Sequence, residues 1–588
     1  PPPAATLSMA SAGATIRAVH AGTNYATTSE TNAEGNYSLG FLLPGDYTVT
    51  ANKPGFKQFE RSGVRIAVND RLTLNIWLEL GQVNEKMSVQ AEAPLLETTS
   101  SSMGTLIDHR RLTELPLIYG NPMMLQFLAS GTTWNAPLHY QAPWDTSGAS
   151  QASVNGSQKQ SIDFQVDGLS NNRKNNNVAY VPSVEFIQEY KVETIAYDAS
   201  QGHGAAWVNA SLKSGSNELH GSVYYYIQNK NLNANGFFSN LAGQPKGDFD
   251  YKRWQASAGG RLVKNKTFWF AGVEKINPGS TTRRIFTVPT PAEKNGDFSA
   301  LLALGSQYQF YDPWTTTDLK NGRFGRTPFV GNVIPQSRIT AIAKNILKYY
   351  PDPNDAPSPT REGLNNYIYK EGYNSNDYMS SSLRVDHNFS DKNRLFGRFG
   401  YARNTLNENG YDFAKGASGG KTNRKTPLAA LDYTHIFDAA TVVNLRYGYT
   451  RSYDGTITVT EGFDLSTLGF PKSLADQLVY RQFPIIGFGS NSFTTTNNIT
   501  SPSYAYGSIN SVIASVSRTQ GRHLLRMGYD YRASLATSGN HGGEAGVFNF
   551  NGGYMNGPLD NSSTPPLVAS SLGGLLLGLS TNSYVNRN

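Results

Sequence analysis

The stretch DHNFSDKNRLFGRFGYARN, residues 386–404, alternates apolar side chains with basic or small ones. In an extended chain successive side chains point to opposite faces, so Leu395, Phe399 and Tyr401 share one face of a predicted strand. Arg394 and Arg398 share the other face. The stretch therefore predicts a strand with one apolar, aromatic face and one cationic face. Whether the apolar face meets a protein core or lipid decides the fold.

The same alternation recurs through the C-terminal part of the chain. About nine segments of roughly ten residues show it, near residues 219–228, 252–263, 267–276, 381–389, 394–403, 428–437, 441–451, 508–518 and 522–532. Short turns join them in pairs, at residues 264–266, 390–393, 438–440 and 519–521. Long segments separate the pairs, such as 277–380, 404–427 and 452–507. Short turns on one side and long loops on the other are typical of an outer-membrane β-barrel.

We therefore expect the apolar face to meet lipid and the opposite face to line the lumen of a barrel. The predicted lumen-facing residues are Arg394, Arg398, Arg446 and Arg526. One alternative stays open, because the core of a soluble β-sandwich produces the same alternation.

Composition narrows the class of protein. The 588 residues include 12% aromatic residues and 57 glycines, which suits a β-rich chain with many turns. The net charge is +7, but the basic residues are scattered, whereas a nucleic-acid binder concentrates them in a patch. The chain contains no cysteine, which excludes disulfides and thiolate chemistry. No apolar run of about 18 residues is present, so we expect no transmembrane helix.

The first ninety residues predict a small antiparallel sandwich. The segment TNAEGNYSLGFLLPGDYTVTANKPGFK, residues 31–57, reads as short strands separated by Gly- and Pro-containing turns. More alternation follows at residues 64–66 and 72–76. This segment resembles the carboxypeptidase regulatory-like (transthyretin-like) domain, in Gly35-Asn36-Tyr37, Pro44-Gly45-Asp46-Tyr47 and Gly55-Phe56. The resemblance covers most of residues 10–82 and implies an accessory sandwich, and no zinc-ligand set is found there.

Residues 83–220 predict a mixed unit. Residues 84–104 look like a short strand and a polar linker, and residues 109–131 have helical spacing in two pieces broken at Pro116 and Pro122. Residues 191–196 alternate as a strand with mixed faces.

Four stretches of this unit resemble the plug domain of TonB-dependent outer-membrane receptors, in the Oar-like subgroup that carries an N-terminal regulatory-like domain. They are Val154-Asn155-Gly156, Phe164-Gln165-Val166-Asp167-Gly168, Ile187-Gln188-Glu189-Tyr190-Lys191-Val192 and Lys213-Ser214-Gly215-Ser216-Asn217 with His220-Gly221. The plug-motif residues that the resemblance implies are Asn155, Gly156, Asp167, Gly168, Lys213, Ser214 and Gly215. The chain departs from the subgroup's pattern at Gln201-Gly202, Ala205-Ala206-Trp207 and Ile118-Tyr119-Gly120-Asn121.

Residues 85–91 resemble a TonB box, the segment that adds as a strand to the energising protein TonB. The residues are Glu85, Lys86, Met87, Ser88, Val89, Gln90 and Ala91. Strand addition needs only an extended, accessible segment, so these residues could equally be the last strand of the sandwich.

The predicted fold is predominantly all-β in three domains. Residues 1–82 form the regulatory-like sandwich, residues 83–218 the TonB-box-like linker and an α+β plug, and residues 219–588 the N-terminal part of an antiparallel transmembrane barrel. Nine or ten strands are fewer than the twenty-two that the family implies, so we expect the barrel to be incomplete in this chain. One loop helix is predicted within residues 334–354, with Ser337 as its N-cap and Pro351 as its stop.

The resemblance implies an outer-membrane receptor whose N-terminal domain lies in the periplasm. Its partners would be TonB with the inner-membrane energising complex, membrane lipid, and an unknown extracellular ligand, with no nucleic acid. A lumen rich in Arg, Asn and Asp would suit a polar cargo such as a metal chelate, an oligosaccharide or a peptide. A surface adhesion or assembly protein anchored by the same barrel is the alternative, and a soluble multi-sandwich binding protein is a third.

Catalytic and cofactor motifs are absent from the sequence. There is no Gly-x-Ser-x-Gly elbow and no phosphate-binding Gly-x4-Gly-Lys-Ser/Thr loop. The nine histidines are dispersed, and residues 352–355 are better read as a polar loop than as a calcium site. We predict no enzyme activity, no cofactor and no metal site.

Overall fold

The computed structural model is dominated by β-strands arranged in three units. It describes residues 12–40, 42–68, 70, 72–81, 86–90, 103–134, 141–145, 148–195, 199–200, 204–241, 243, 245–320, 322–356, 364–408, 419–438, 440–489, 493–496, 502–521, 523–557 and 568–586.

The first unit, the sandwich unit, is built on one five-stranded sheet. Its strands are β1 (Thr15–His20), β2 (Ala26–Glu30), β3 (Gly45–Asn52), β4 (Gln58–Ile66) and β5 (Lys86–Gln90). The spatial order is β2-β1-β3-β4-β5, with β5 parallel to β4. The inward residues Tyr47, Val49 and Ala51 are buried, as their alternation predicts.

The second layer of this unit is formed by extended segments. They place half-buried side chains such as Tyr37, Leu39, Leu74 and Ile76 against the sheet. The prediction of a strand at residues 72–76 is wrong, because these residues pack on the sheet without pairing with it. In the described segment 72–81 the backbone bridges to the rest of the sandwich unit only between Leu80 and Phe56.

The second unit, the central unit, is a mixed sheet with short helices. Its elements are β6 (Met103–Asp108), α1 (His109–Glu114), β7 (Thr132–Thr133), β8 (Ser153–Val154), β9 (Ile162–Val166), β10 (Leu169–Ser170), β11 (Ile187–Ile195) and β12 (Ala206–Leu212). The main sheet has the order β10-β9-β12-β11-β6, with β9 and β12 parallel. Strands β9 and β12 are buried along their whole length, so this sheet is covered on both faces.

Both predicted helical segments of this unit are present, although they end at other residues than predicted. Asp108 caps α1 by accepting a hydrogen bond from the Arg111 amide, and α1 ends before Pro116. The second piece, Pro122–Leu128, is a 3-10 helix that begins at Pro122. Proline is well tolerated there because the first helical residues need no amide donor.

The remaining elements follow in chain order. The strands are β13 (His220–Asn229), β14 (Phe249–Val263), β15 (Thr267–Phe286), β16 (Thr317–Lys320), β17 (Arg323–Gly325), β18 (Tyr367–Ser390), β19 (Asn393–Glu408), β20 (Gly420–Ile436), β21 (Thr441–Thr458), β22 (Ile485–Phe488), β23 (Ser503–Gln520), β24 (His523–Asn540), β25 (Val547–Phe550) and β26 (Asn582–Tyr584). The helices are α2 (Phe237–Leu241), α3 (Pro291–Lys294), α4 (Ala341–Leu347), α5 (Lys472–Ala475) and α6 (Val568–Leu577).

Nine of these strands form one antiparallel sheet, here called the wall. Its order, β13-β14-β15-β18-β19-β20-β21-β23-β24, follows the sequence, and β13 and β24 are the two edges of the described sheet. All nine strands predicted from the alternation are confirmed. The strands are longer than the predicted segments, up to 24 residues in β18, because backbone pairing continues where the side chains no longer alternate.

The two faces of the wall have the polarity that the alternation predicts. Phe399 is 50% exposed on the outer face, and Leu383, Leu445 and Met527 are exposed in the same way. Arg398 is 5% exposed on the inner face. The wall is thus apolar outside and polar inside, which is the arrangement of a membrane barrel and not of a soluble sandwich.

The third unit consists of the wall and of a structure, here called the cap, formed by segments between and after the described wall strands. The hydrophobic core of the cap combines described residues of 286–350, 463–493 and 545–585, with α6 and its leucines at the centre. The loop helix predicted within residues 334–354 is α4, and it presents buried Ala343, Ile346 and Leu347 to this core. The predicted N-cap Ser337 is wrong, because Thr340 accepts the hydrogen bond from the Ala343 amide.

Among the described residues, no helix combines the length and the apolar character needed to cross a bilayer.

Candidate functional site

The inner face of the wall is covered by the central unit, and charged groups meet across this interface. Arg384, Asp386, Arg398, Asp432 and Asn444 are all buried. Burying charges is unfavourable unless they are paired, so their partners define the interface.

The centre of the interface is the turn between β9 and β10. Asp167 and Gly168 form this two-residue turn, and both have positive φ, 50° and 75°. Asp-Gly is the sequence preferred for such a hairpin, because both central residues must adopt the left-handed region. The turn brings the Asp167 carboxylate to the wall.

Asp167 bridges two wall strands. Its Oδ2 lies 2.7 Å from Arg398 Nη1 and its Oδ1 lies 3.4 Å from Arg384 Nη1. Oδ1 also accepts a hydrogen bond from the Leu212 amide at 2.9 Å. Arg384 has a second, two-pronged partner in Asp386, at 2.8 and 2.9 Å. Arg398 forms an ion pair only with Asp167 among the described residues.

Further ion pairs hold the central unit on either side of this turn. Arg532 of β24 reaches Asp163 of β9 at 3.1 Å and Asp530 at 3.0 Å. Arg173 of the central unit pairs with Asp454 of β21. The three groups together connect the central unit to β18, β19, β21 and β24.

The other plug-motif residues shape the backbone. Asn155 and Gly156 form a turn with positive φ, and the side-chain Nδ2 of Asn155 donates a hydrogen bond to the Thr194 carbonyl at 3.0 Å. Gly215 lies where the chain passes the wall, since a Cβ there would be 2.4 Å from carbonyl oxygens of β14 and β15. The Ser214 hydroxyl contacts the Gly215 carbonyl oxygen.

Lys213 belongs to a small cluster of titratable groups. Its Nζ lies 3.0 Å from His109 Nε2 and 3.9 Å from Glu185 Oε2. Burial lowers the pKa of Lys213 and of His109, and burial raises the pKa of Glu185.

The four predicted lumen-facing arginines have different surroundings. Arg394 and Arg398 are buried on the inner face of β19. The Arg446 guanidinium lies 2.6 Å from the Asp432 carboxylate. It also packs closely on Gly168, where an added Cβ would lie 2.4 Å from Arg446 Nη1. Arg526 is exposed on the edge strand β24, on the same face as Arg532.

The predicted TonB-box residues lie at the end of the sandwich sheet. The backbone of Lys86–Gln90 forms β5, paired on one side with β4, and β5 is the terminal strand of that sheet. Glu85 and Ala91 lie outside the described residues.

The sandwich unit contacts the central unit through a buried carboxylate. Glu189 of β11 accepts a hydrogen bond from the Val68 amide at 2.8 Å, and Arg65 lies 3.9 Å away. Beside it, Lys191 pairs with Asp70 at 3.5 Å and with Glu193 at 3.2 Å. Burial outweighs these contacts and raises the pKa of Glu189 to about 7.

Sequence patterns alone missed Asp163, Arg173 and Arg384 as interface residues. Arg384 and Arg532 sit at inward positions of alternating strands, like Arg398, so strand parity could have identified them. Nothing local marks Asp163. Within the described residues no cluster of three or more His, Asp or Glu is placed to hold a metal ion. In the loop considered for calcium, Asp352 pairs with Lys294 at 2.7 Å.

Comparisons with known proteins agree with this architecture. Residues 211–588 match the family model described as the outer membrane beta barrel domain, and residues 8–79 match that of the carboxypeptidase regulatory-like domain. The chain is similar to the TonB-dependent transporter Oar of Myxococcus xanthus, with 29% identity over 255 residues. That match covers 41% of this chain and 23% of the relative, so the chain spans about a quarter of the relative's length.

Solved structures also match part of the chain, with TM-scores below 0.5. The transporter YddB of Escherichia coli has a TM-score of 0.47 and 11% identity, covering 78% of this chain and 51% of that one. A mutant of the ferric enterobactin receptor PfeA of Pseudomonas aeruginosa has a TM-score of 0.37 and 12% identity, covering 73% and 48%. The matched proteins are named as transporters and receptors.

Proposed function

The chain belongs to the outer membrane beta barrel domain family, and from this membership we propose that it acts as a TonB-dependent receptor that imports a polar ligand. The outer membrane is its location, as predicted. In this proposal the central unit is the plug, the wall is part of the barrel, and the sandwich unit lies in the periplasm. The domain boundaries at residues 82 and 218 are part of the proposal, although β5, beyond residue 82, pairs with the sandwich sheet.

The observation that carries the proposal is how the central unit is held. Its sheet shares no strand pairing with the wall in the described residues, and the two are joined by side-chain contacts such as the Asp167 ion pairs. A unit held in this way can shift without breaking the backbone pairing of the wall. Such a shift would expose an inner face lined by Arg, Asp and Asn, which suits a metal chelate, an oligosaccharide or a peptide.

Energy would reach the plug through TonB and its inner-membrane complex. Strand β5, which carries the TonB-box candidate, has one paired side and is the terminal strand of its sheet. Addition of a TonB strand at this edge, or release of β5 from β4, would couple a pulling force to the linker that leads into the central unit.

The test is a reversible tether between plug and wall. A Cβ at Gly448 of β21 would lie 3.3 Å from the Cβ of Leu169 in β10, close enough for a disulfide in a Leu169→Cys/Gly448→Cys variant. The chain has no cysteine of its own. As a matched control, Ser515→Cys/Gly528→Cys joins two wall strands, with a Cβ separation of 3.4 Å.

Uptake of a labelled ferric chelate, oligosaccharide and peptide is measured in cells with and without TonB. We expect TonB-dependent uptake of one class, lost in the oxidised Leu169–Gly448 variant and restored by dithiothreitol. The oxidised control pair should transport normally. Unchanged uptake with a fully formed plug–wall disulfide would refute a plug that must move.

A second candidate, surface adhesion or assembly, is supported by the cap. Three separate segments fold there around one hydrophobic core, a larger structure than connecting strands requires. If no cargo is taken up and the tethered variant still binds other cells, the adhesion function takes the place of transport.

A further inference from the structure

Prolines interrupt the pairing of the wall at Pro278 in β15 and at Pro427 in β20. Pro427 lies inside the 17-residue strand β20 and pairs with Tyr401 of β19. On its other side, pairing with β21 stops after Lys425↔Tyr453 and resumes at Leu428↔Thr450. Proline has no amide hydrogen to donate, so it is rarely placed in the interior of a sheet.

A recess of about 460 Å³ opens over the interruption at Pro427. It is lined by Tyr401, Lys425, Pro427, Arg451, Tyr453 and Tyr506, which come from four adjacent strands. Tyr453 lies directly across from Lys425 on one side and Tyr506 on the other. The Arg451 guanidinium stands 5.9 Å from the centre of the Tyr506 ring.

The distance of the recess from the short turns places it at the outer edge of the apolar band, the outward-facing apolar zone of the wall. Lys425 and Arg451 are each about ten residues from the short turn between β20 and β21, and no outward lysine or arginine on these strands lies nearer that turn. About ten residues at ~3.3 Å each, tilted by ~45°, rise roughly 23 Å, which is close to the ~25 Å apolar band of outer-membrane barrels. The short turns mark the periplasmic side, so the recess faces the outer leaflet.

The charge of the recess is positive and uncompensated. Lys425 and Arg451 are exposed, and neither forms an ion pair among the described residues. The neighbouring Arg403, across from Lys425, lies 3.7 Å from Asp377, which neutralises it. Two cations among three tyrosines match an anion attached to an amphipathic body, because tyrosine rings prefer the headgroup level of a membrane.

We propose that this recess binds the phosphorylated headgroup of a lipid in the outer leaflet. Lys425 and Arg451 hold the phosphate, the tyrosine hydroxyls hydrogen-bond to the headgroup, and the rings pack on its apolar part. The proposal rests on the membrane location and the wall, and it holds whether or not the protein transports a ligand.

The test is native mass spectrometry of the protein purified from outer membranes in mild detergent. Diphosphoryl lipid A is the probe, monophosphoryl lipid A is the comparison, and inorganic phosphate is the competitor. The variant Lys425→Gln/Arg451→Gln should bind diphosphoryl lipid A about tenfold or more weakly than the wild type, since each cation near an anionic surface contributes appreciably. The control Lys264→Gln/Lys266→Gln makes the same charge change in an exposed periplasmic turn and should bind normally.

The wild type should retain both lipids, because each carries a phosphate. Two outcomes would overturn the proposal: equal binding of diphosphoryl lipid A by the wild type and the Lys425/Arg451 variant, and displacement of the lipid by millimolar phosphate. Faster gel migration before heating than after it verifies folding of both variants. If the double variant does not fold, the single change Arg451→Glu answers the same question with the same readout.

Discussion

Replacing Asp167 by asparagine would test the main anchor of the plug. Asparagine keeps the shape of the side chain and tolerates the positive φ of 50°, so the turn itself should survive. The substitution removes the one ion-pair partner that Arg398 has in the described part of the chain, whereas Arg384 keeps Asp386. Leaving one buried cation unpaired costs about 3–5 kcal/mol. We expect the lower end of that range, about 3 kcal/mol, because Arg384 keeps its second partner.

Urea unfolding of the central unit in detergent measures this loss. With an m-value of about 2 kcal/mol/M for a unit of this size, the midpoint should fall by roughly 1.5 M. A Ser170→Cys substitution reports the unfolding, because Ser170 is buried against the wall and its thiol reacts only after the central unit opens.

Two further variants decide whether charge is the cause. In Asp167→Asn/Arg398→Met the unpaired cation is gone, so most of the lost stability should return. Asp248→Asn breaks an exposed pair with Lys230 and should shift the midpoint little, by about 0–1 kcal/mol. An unchanged midpoint in Asp167→Asn, or no recovery in the double variant, would show that the Asp167–Arg398 ion pair does not anchor the central unit.

Three other substitutions test separate features. Burial raises the pKa of Glu189 to about 7 in the docked structure, so a proton is bound there more tightly than on a free carboxyl group, and we expect docking of the sandwich unit to strengthen as the pH falls from 7 toward 4.5. Glu189→Gln should abolish that dependence, and equal pH profiles of thermal unfolding for variant and wild type would contradict it. Gly215→Ala should destabilise the plug–wall contact by about 1–3 kcal/mol in the urea assay, whereas Gly247→Ala, with open space around it, should not. Thr340→Ala should cost the cap about 1 kcal/mol in thermal unfolding and Ser337→Ala almost nothing, and equal effects would reverse the N-cap assignment.

Much of the wall was predictable because the side-chain alternation that marks each strand involves only neighbouring residues. The nine strands, their short turns and the direction of each face follow from side-chain parity, and Arg398 was placed correctly on the inner face by that rule. The lengths of the strands were not predictable. Backbone pairing in β18 extends through Asn374 and Ser375, where the residue types carry no alternation.

The candidate site divides in the same way. The Asp167-Gly168 turn can be predicted from two adjacent residues, because the hairpin needs two residues that accept positive φ. Residues 86–90 fit either a TonB box or the last sandwich strand. Their pairing with β4 gives the position of their backbone, but it does not distinguish between these two roles.

The class of this protein follows from the sequence, because periodicity, turn chemistry and family motifs are carried by neighbouring residues. Which charges meet depends on how distant parts of the chain pack together. Asp167 lies 217 residues from Arg384 and 231 from Arg398 along the chain, and no local pattern encodes a pairing over that distance. The partners are set by the closing of the plug against a polar wall, where each buried charge must find an opposite one.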